Sequence, residues 1–361
     1  MTFFVLFETK RHRLGRQFTM TTNTESPDVI TATLLLAPKV MAASVMGFAD
    51  MIYVANRVAL SQGQPEPFKL RMLSLDGQPV ICSTGYPLAV DGDLASAESN
   101  GVLIVPGLML ADGRHLDRAL SHYRPQIDWL KHNHQRFDRV VTNCSATFLL
   151  AEAGLLDGKS ATTSWWLTKA FARRYPQVDL DADAICRCSD HFILGGGSGC
   201  FTDLMLVIIE RYGGQPLART VAKYMLVDNQ RRSQAPYAIL PDTNHDDVVV
   251  ARAQAWIHRH LQQDFKVEDV ARHVAVSSRT LIRRFQNTLA ESPQTYTQRA
   301  RIEHSKLLLE TTQLRFSEIV ERCGYSDESA FRRLFKKLCK VSPSEYRRKF
   351  HIAHQVPAVA E

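Results

Sequence analysis

Cys144 is the side chain whose setting best suits chemistry. Arg139-Val140-Val141-Thr142 reads as a short buried strand, Asn143-Cys144-Ser145 as a sharp connection, and residues 146–156 as a helix. A thiol at a helix N-terminus has its thiolate favoured by the helix dipole, and the thiolate is the nucleophilic form. Taken alone, a cysteine so placed is more often a small buried residue than a nucleophile. Two other groups carry recognition chemistry. Arg279, Arg283 and Gln286 share a helical face opposite Leu281 and Phe285, while Glu328, Ser329, Arg332, Arg333 and Lys336 lie outward of Phe331 and Phe335. Such side chains suit guanine edges, adenine edges and phosphates. Cys186-x-Cys188 sets two thiols on one strand face. No second Cys or His pair stands at ligand spacing, so no metal is expected. The run Gly195-Gly196-Gly197-Ser198-Gly199 lacks a Lys-Ser/Thr step and the dinucleotide glycine spacing, and no cofactor is expected either.

The two outward-facing sets belong to one pattern that occurs twice. Phe285 corresponds to Phe335, Pro293 to Pro343 and Tyr296 to Tyr346, all 50 residues apart, whereas Val270 corresponds to Ile319 and Ser277 to Ser326 at 49. A repeat dictates architecture and is read first. In the first copy Val267, Val270, Ala271 and Val274 line one helix face, Ala275-Val276 gives a tight turn, and Ser277 or Ser278 caps the next helix. In the second, Ile319, Val320 and Cys323 face inward, Gly324 permits the turn and Ser326 is the expected cap. Each copy is a helix-turn-helix. A long helical run, 295–311, joins them and would hold the two outward helices in fixed relation. Two such helices can enter successive major-groove segments about 34 Å apart. The bland alternative is a helical bundle with a solvated basic face.

Upstream, strands alternate with helices: strand 29–38, helix 47–61, strand 68–75, strand 102–105, helix 116–132, strand 139–142, then helices 146–156, 201–212 and 217–227. This order predicts an α/β domain with a mostly parallel sheet and helices on both faces. Ligands of such sheets bind at the carboxyl ends of strands, where Gly107, Cys144 and the region of Asp50 converge.

Charge agrees with the division. Residues 245–361 hold 20 Lys and Arg against 14 Asp and Glu, a net of +6, and residues 1–244 hold 24 against 23. Positive charge therefore sits on the helical part, as a polyanion partner requires. Seven scattered cysteines in a long chain point to reduced thiols and a cytoplasmic setting. No apolar run approaches the roughly 18–20 residues of a membrane helix, so no membrane partner is expected. Residues 1–27 read as a disordered leader, with Met20 as an alternative start. In residues 1–20 the apolar patch precedes the basic residues, the reverse of a signal peptide. The expected divisions are 28–232, a linker 233–247 marked by Pro236 and Pro241, 248–350, and a tail 351–361.

Residues 267–350 resemble the DNA-binding domain of AraC/XylS-type transcription regulators. The residues that carry the resemblance include Ser277-x-Arg279-Thr280-Leu281-x-Arg283-Arg284-Phe285, Ser292-Pro293-x-x-Tyr296, Arg301-Ile302-Glu303, Gly324-Tyr325-Ser326, Ser329-x-Phe331-x-Arg333-x-Phe335 and Ser342-Pro343-x-x-Tyr346-Arg347. The resemblance implies promoter DNA and RNA polymerase as partners, with base contacts from Arg279, Ile282 and Arg283, then Glu328, Ser329 and Arg333. The family has a helix-ending glycine three residues before each Pro; here these positions are Ala290 and Lys340. A left-handed cap there would cost about 1 kcal/mol each.

Residues 29–235 resemble the class I glutamine amidotransferase-like domain of DJ-1/PfpI type, in the version fused to AraC-type domains in GlxA-like regulators. The match runs through Asn143-Cys144-Ser145-Ala146-Thr147-Phe148 to Gly158-Lys159 and Ala161-Thr162-Thr163-Ser164-Trp165. It implies a flavodoxin-like sheet, a homodimer, and a small-molecule effector of amino acid, betaine or amine class. The pocket candidates are Asp50, Gly107, Cys144, Ser145 and Ser164. Catalytic members of this superfamily pair the cysteine with histidine; Ser164 stands at that position and cannot act as a base near neutral pH. Asp50 stands where the family has Glu, and Ala146 where it has Gly. The expectation is an effector-responsive regulator, most plausibly an activator, that binds without turnover. The alternatives are a thiol-dependent amidase or hydrolase using Cys144, and a purely structural dimerisation domain.

Overall fold

The computed structural model describes residues 29–110, 116–189, 191–227, 231–240 and 245–351. The expected leader 1–27 and all but the first residue of the expected tail lie outside them.

The N-terminal part contains β1 (Ile30–Leu35), α1 (Ala42–Ser61), β2 (Phe68–Ser74), β3 (Val80–Ile81), β4 (Pro87–Leu88), β5 (Gly92–Asp93) and β6 (Val102–Val105). Then come α2 (Leu116–His122), α3 (Arg124–Asn133), β7 (Arg139–Asn143), α4 (Thr147–Glu152), β8 (Ser160–Ala161), α5 (Thr168–Arg174), β9 (Asp179–Leu180), β10 (Cys186–Cys188), β11 (Phe192–Gly195) and α6 (Phe201–Tyr224). Seven strands form the main sheet in the order β10-β11-β7-β6-β1-β2-β5, parallel except where β10 meets β11. The inner strands β6 and β11 are apolar and buried along their whole length because both sheet faces are covered there, whereas β2 and β10 toward the edges carry Lys69, Arg71 and Arg187. From β1 the chain steps outward to β2, and from β6 it steps the opposite way to β7. Right-handed crossovers therefore place α1 and α3 on opposite faces. α6 packs with α1, and α4 with α3. The sheet reverses direction between β1 and β6, which is the switch point where ligand sites form.

The expected helix 116–132 is interrupted at Tyr123, because Pro125 cannot donate in the first turn of α3. The expected helix 146–156 stops at Glu152. The helices 201–212 and 217–227 are continuous except for a break at Gly214 (φ 83°) ahead of Pro216, and they end at Tyr224. The short β10–β11 hairpin carried no readable alternation.

The C-terminal part is all helical: α7 (Val248–Arg259), α8 (Val267–His273), α9 (Ser278–Leu289), α10 (Pro293–Thr311), α11 (Phe316–Arg322), α12 (Glu328–Cys339) and α13 (Pro343–Phe350). It holds two separate cores. Val250, Ile257, Val270, Leu281, Phe285 and Tyr296 belong to the first. Ile302, Leu309, Ile319, Phe331, Phe335 and Tyr346 belong to the second. α10 serves both, with Tyr296 and Ala300 in one and Ile302 and Leu309 in the other.

The head of the expected linker 233–247 is not a free connection. Ser233 bridges to Ala184, and Gln234 is buried in the N-terminal part. The Gln234 amide donates to the carbonyls of Thr163 and Ala182, both at 2.9 Å, and its oxygen accepts from Trp165 N at 3.0 Å. A linker defined by its prolines alone starts too early.

Candidate functional site

α9 and α12 are equivalent helices of twelve residues each. Leu281, Phe285 and Leu289 of α9 match Phe331, Phe335 and Cys339 of α12 in burial. The opposite faces are exposed: Arg279, Ile282, Arg283 and Gln286 on α9, and Ser329, Arg332, Arg333 and Lys336 on α12. Glu328 is half-buried. Among the described residues Arg279, Arg283 and Arg333 have no ion-pair partner. Arg332 is engaged already: it pairs with Glu328 and stacks over Phe316 at 4.7 Å.

The caps show how the repeat is built. Ser277 caps α9 by accepting from Thr280 N at 3.2 Å. In the second copy the cap is Asp327, accepting from Ala330 N at 3.0 Å, and not Ser326. Ser277 thus corresponds to Asp327, and the offset changes from 49 to 50 inside the turn, where the second copy has one extra residue. Both Ser-Pro pairs start helices: Ser292 and Ser342 cap α10 and α13, with Pro as the first helical residue. Ala290 (φ 54°) and Lys340 (φ 60°) occupy the left-handed cap that favours glycine, as the sequence implied.

One buried cation ties the two units together. Arg301 of α10 donates to the carbonyls of Leu261 (3.2 Å) and Gln263 (2.6 Å), just beyond the C-terminal end of α7. Its guanidinium lies 5.2 Å from both the Phe265 ring of the first unit and the Tyr325 ring of the second. Gly324 leaves room for this, since a Cβ there would stand 2.6 Å from the Leu261 carbonyl oxygen. Sequence reasoning recorded Arg301 only as part of a motif; its role depends on residues up to 40 positions away.

At the switch point Cys144 is in the left-handed region (φ 58°) and 2 % exposed. Its carbonyl accepts from the Thr163 hydroxyl at 2.9 Å, which steadies this uncommon backbone state. The sulfur accepts from Ser164 Oγ at 2.9 Å and Ser198 Oγ at 3.4 Å. Asn143 holds the three loops together: its oxygen accepts from Gly107 N at 2.8 Å, and its amide donates to Ser44 Oγ at 3.1 Å and Ser198 O at 2.9 Å. Ser145 Oγ donates to Leu108 O. Gly107 allows the close approach, since a Cβ there would lie 3.1 Å from Cys144 Cβ. Gly107, Cys144, Ser145 and Ser164 are thus brought together in a sealed, hydroxyl-rich neighbourhood. Asp50 is not among them. It is exposed on α1, because the helix turns Phe48, Met51, Ile52 and Ala55 inward and leaves Asp50 opposite. Ser44, Ser198 and Asn143 are the neighbours the sequence did not single out. No histidine or carboxylate hydrogen-bonds the Cys144 sulfur among the described residues, and hydroxyls are too weakly basic to ionise it.

Cys186 and Cys188 lie on β10 with their sulfurs 3.5 Å apart. The hydrogen bond from Cys186, aided by Arg187, lowers the Cys188 thiol to about 7.

Two family models match parts of the chain. The DJ-1/PfpI family model matches residues 38–188, and a helix-turn-helix domain model matches residues 270–349. The HTH-type transcriptional regulator CdhR of Pseudomonas aeruginosa is 26% identical over 309 residues, covering 84% of this chain and 88% of that protein. The HTH-type transcriptional regulator GbdR of the same species is 26% identical over 297 residues, covering 81% and 78%. A solved structure of an AraC family transcriptional regulator from Pseudomonas putida aligns at TM-score 0.46 and 20% identity, covering 54% of this chain and 99% of that one. The chain thus carries a DJ-1/PfpI-type domain ahead of a helix-turn-helix domain, and over most of its length it is similar to the HTH-type transcriptional regulators CdhR and GbdR.

Proposed function

We propose that this chain is a cytoplasmic, sequence-specific DNA-binding transcription regulator that acts as a homodimer and activates through RNA polymerase. Residues 245–351 bind promoter DNA, and residues 29–240 sense a small effector of amino acid, betaine or amine class without turning it over. The observation that carries the reading is the pair of exposed faces at equivalent positions of α9 and α12, held in one frame by α10. Arg279, Arg283, Ser329 and Arg333 read base edges. Arg332, tied to Glu328, lies toward the backbone with Lys336; Ile282 and Gln286 complete the contact. No helix among the described residues is long and apolar enough to cross a membrane.

Two contacts between the parts support a route from sensor to DNA. Lys169 of α5 donates to the Leu289 carbonyl at 2.8 Å and pairs with Glu291 at 3.1 Å, at the end of α9. Asp183 pairs with Lys340 at 3.0 Å, at the end of α12. The sensor domain thus grips the same cap in both repeats and leaves the base-reading positions exposed. Both gripping segments connect to the Cys144 turn: α5 follows Ser164, and the Asp183 carbonyl accepts from Gln234 N at 2.8 Å, while the Gln234 amide donates to the carbonyl of Thr163, whose hydroxyl donates to Cys144 O. An effector that parts Ser164 and Ser198 from Cys144 would shift this grip and the population of DNA-competent chains.

The test is selection of bound sequences from random duplex DNA, with and without candidate effectors. Selection of one sequence with two recognition elements about a helical turn apart supports the reading; uniform recovery of all sequences overturns it. A thermal-shift panel of amino acids, betaines and amines names the effector, since ligand at 100 times its dissociation constant adds about 2.7 kcal/mol.

A further inference from the structure

Two thiols stand together at the edge of the main sheet, away from the Cys144 turn. Cys186 and Cys188 share one face of β10, the terminal strand, and Arg187 between them turns to the other face and pairs with Asp181. Their sulfurs are 3.5 Å apart and share a hydrogen bond. Cys188 is exposed and Cys186 half-buried, whereas Cys82, Cys144, Cys200, Cys323 and Cys339 are all buried. Cys186 also lines a groove of about 600 Å³ with Asp203, Leu206, Arg219 and Arg231, which admits a small oxidant. The two thiols are chemically unlike. The hydrogen bond from Cys186, aided by Arg187, lowers the Cys188 thiol to about 7, so much of it is thiolate at neutral pH. The bond to Cys188 and burial push the Cys186 thiol up, and Cys200 and Asp203 act in the same direction. One sulfur is thus a nucleophile, and its neighbour is a thiol that keeps its proton.

We infer that Cys186 and Cys188 form a reversible modification site, a dithiol that hydrogen peroxide closes to a disulfide, and that closure alters DNA binding through β10. The Cys188 thiolate attacks one peroxide oxygen: an S–O bond forms, the O–O bond breaks and hydroxide leaves. Cys188 is then a sulfenic acid, its sulfur oxidised by two electrons. The Cys186 sulfur attacks it, the S–S bond forms, and the hydroxyl leaves as water with the Cys186 proton. With the proton that Cys188 released, two thiols and one hydrogen peroxide give one disulfide and two waters. A small dithiol reverses the reaction by exchange. Residues two apart in a strand stand about 6.6 Å apart, near the long end of the roughly 4.4–6.8 Å that a disulfide spans. Closure therefore draws β10 in and disturbs the pairing of Cys186 with Gly195 and of Cys188 with Ile193. β10 is tied to both functional parts. Asp183, three residues before Cys186, pairs with Lys340 at the end of α12. The Ile185 carbonyl accepts from Gly196 N at 2.9 Å, two residues before Ser198, whose hydroxyl donates to the Cys144 sulfur. The effect on DNA rests on the regulator reading; the sulfur chemistry does not.

The experiment treats the full chain with hydrogen peroxide, alkylates the remaining thiols after denaturation and maps the peptides by mass spectrometry. Trypsin cuts after Arg187, between the two cysteines, so the linkage is read as two peptides that part only on reduction. Fragmentation separates Cys188 from Cys200, which shares its peptide. The expected result is a Cys186–Cys188 linkage at peroxide levels that leave Cys144, Cys323 and Cys339 reduced, reversed by dithiothreitol. Cys186→Ser should stop at the sulfenic acid, trapped by a cyclic diketone, and Cys188→Ser should not react; circular dichroism checks that both fold. Affinity for the selected DNA sequence should differ about fivefold or more between the reduced and oxidised chain, and not at all in either variant. Absence of the linkage, earlier oxidation of another cysteine, or a sulfenic acid that persists at Cys188 with Cys186 present would each overturn the site. A disulfide that forms and leaves DNA affinity unchanged would overturn its coupling through β10. A chain that forms the disulfide but selects no sequence in either state removes the regulator reading and leaves the site.

Discussion

Replacing Arg301 should uncouple the two helix-turn-helix units without touching a base-reading side chain. The guanidinium satisfies two carbonyls and lies against two rings. Hydrogen bonds from a charged donor contribute about 1.5–3 kcal/mol each, and each cation–π contact about 0.5–2 kcal/mol depending on desolvation. The terms are not independent, and water can reach a loop carbonyl once the side chain is gone. Arg301→Ala is therefore expected to cost about 3–5 kcal/mol, the range for removing one member of a buried charged network. Arg301→Lys keeps the charge near the end of α7 but cannot span both carbonyls, and should cost about half as much. Urea denaturation of the full chain would measure the stability, and footprinting the DNA consequence. With the frame loosened, the second unit no longer arrives pre-positioned, so affinity for a two-element site should fall while each element remains recognised. An Arg301→Ala chain within about 1 kcal/mol of the parent, with unchanged two-element affinity, would refute the reasoning.

The other expectations are smaller and local. Arg283→Ala and Arg333→Ala should each cost about 1–3 kcal/mol of specific binding and relax preference at one base position, read by competition with single-base variants. Ala290→Gly should stabilise the chain by about 0.5–1 kcal/mol by relieving the left-handed cap; Lys340→Gly should gain less, because it also loses the partly exposed pair with Asp183. Thermal denaturation of both variants decides this. Lys169→Ala should change melting temperature little, as the side chain is half exposed, but should alter how effector changes DNA affinity; identical coupling would remove the grip from the mechanism. Alkylation of Cys188 should rise steeply as pH passes about 7, since its thiolate forms there, while Cys323 and Cys339, pushed by burial up to about 12, stay inert. Peptide mapping after timed labelling at several pH values measures all three.

Local regularity explains what could be read in advance. The tandem units follow from apolar residues at three- and four-residue intervals and from Ser-Pro starts, which act within a single turn of helix. The left-handed caps at Ala290 and Lys340 were legible only through the family resemblance, which puts a helix-ending glycine at those positions. Ser326 failed by one residue: Ser and Asp both cap helices, and only the backbone path through the longer second turn places Asp327 at the helix start. Asp50 failed for a related reason: the family resemblance set an acidic residue of α1 beside Cys144, but the helix phase that turns Phe48, Met51 and Ile52 inward leaves Asp50 exposed.

By itself, the sequence determined two parts of different class, the doubled helix-turn-helix with its basic outward faces, and a cysteine at a strand-to-helix turn without a histidine at the motif position. The parts, the repeat and the turn rest on periodicity, capping and charge, which are properties of short segments; the missing histidine rests on the family resemblance. Only the tertiary structure decided that Arg301 clamps the two units, that Gln234 belongs to the N-terminal domain, that Cys144 is sealed by Ser164 and Ser198, and that Lys169 and Asp183 reach the C-terminal ends of α9 and α12. Those contacts join residues from 20 to 157 positions apart. Such pairings are set by how packed elements meet, and no local pattern encodes them.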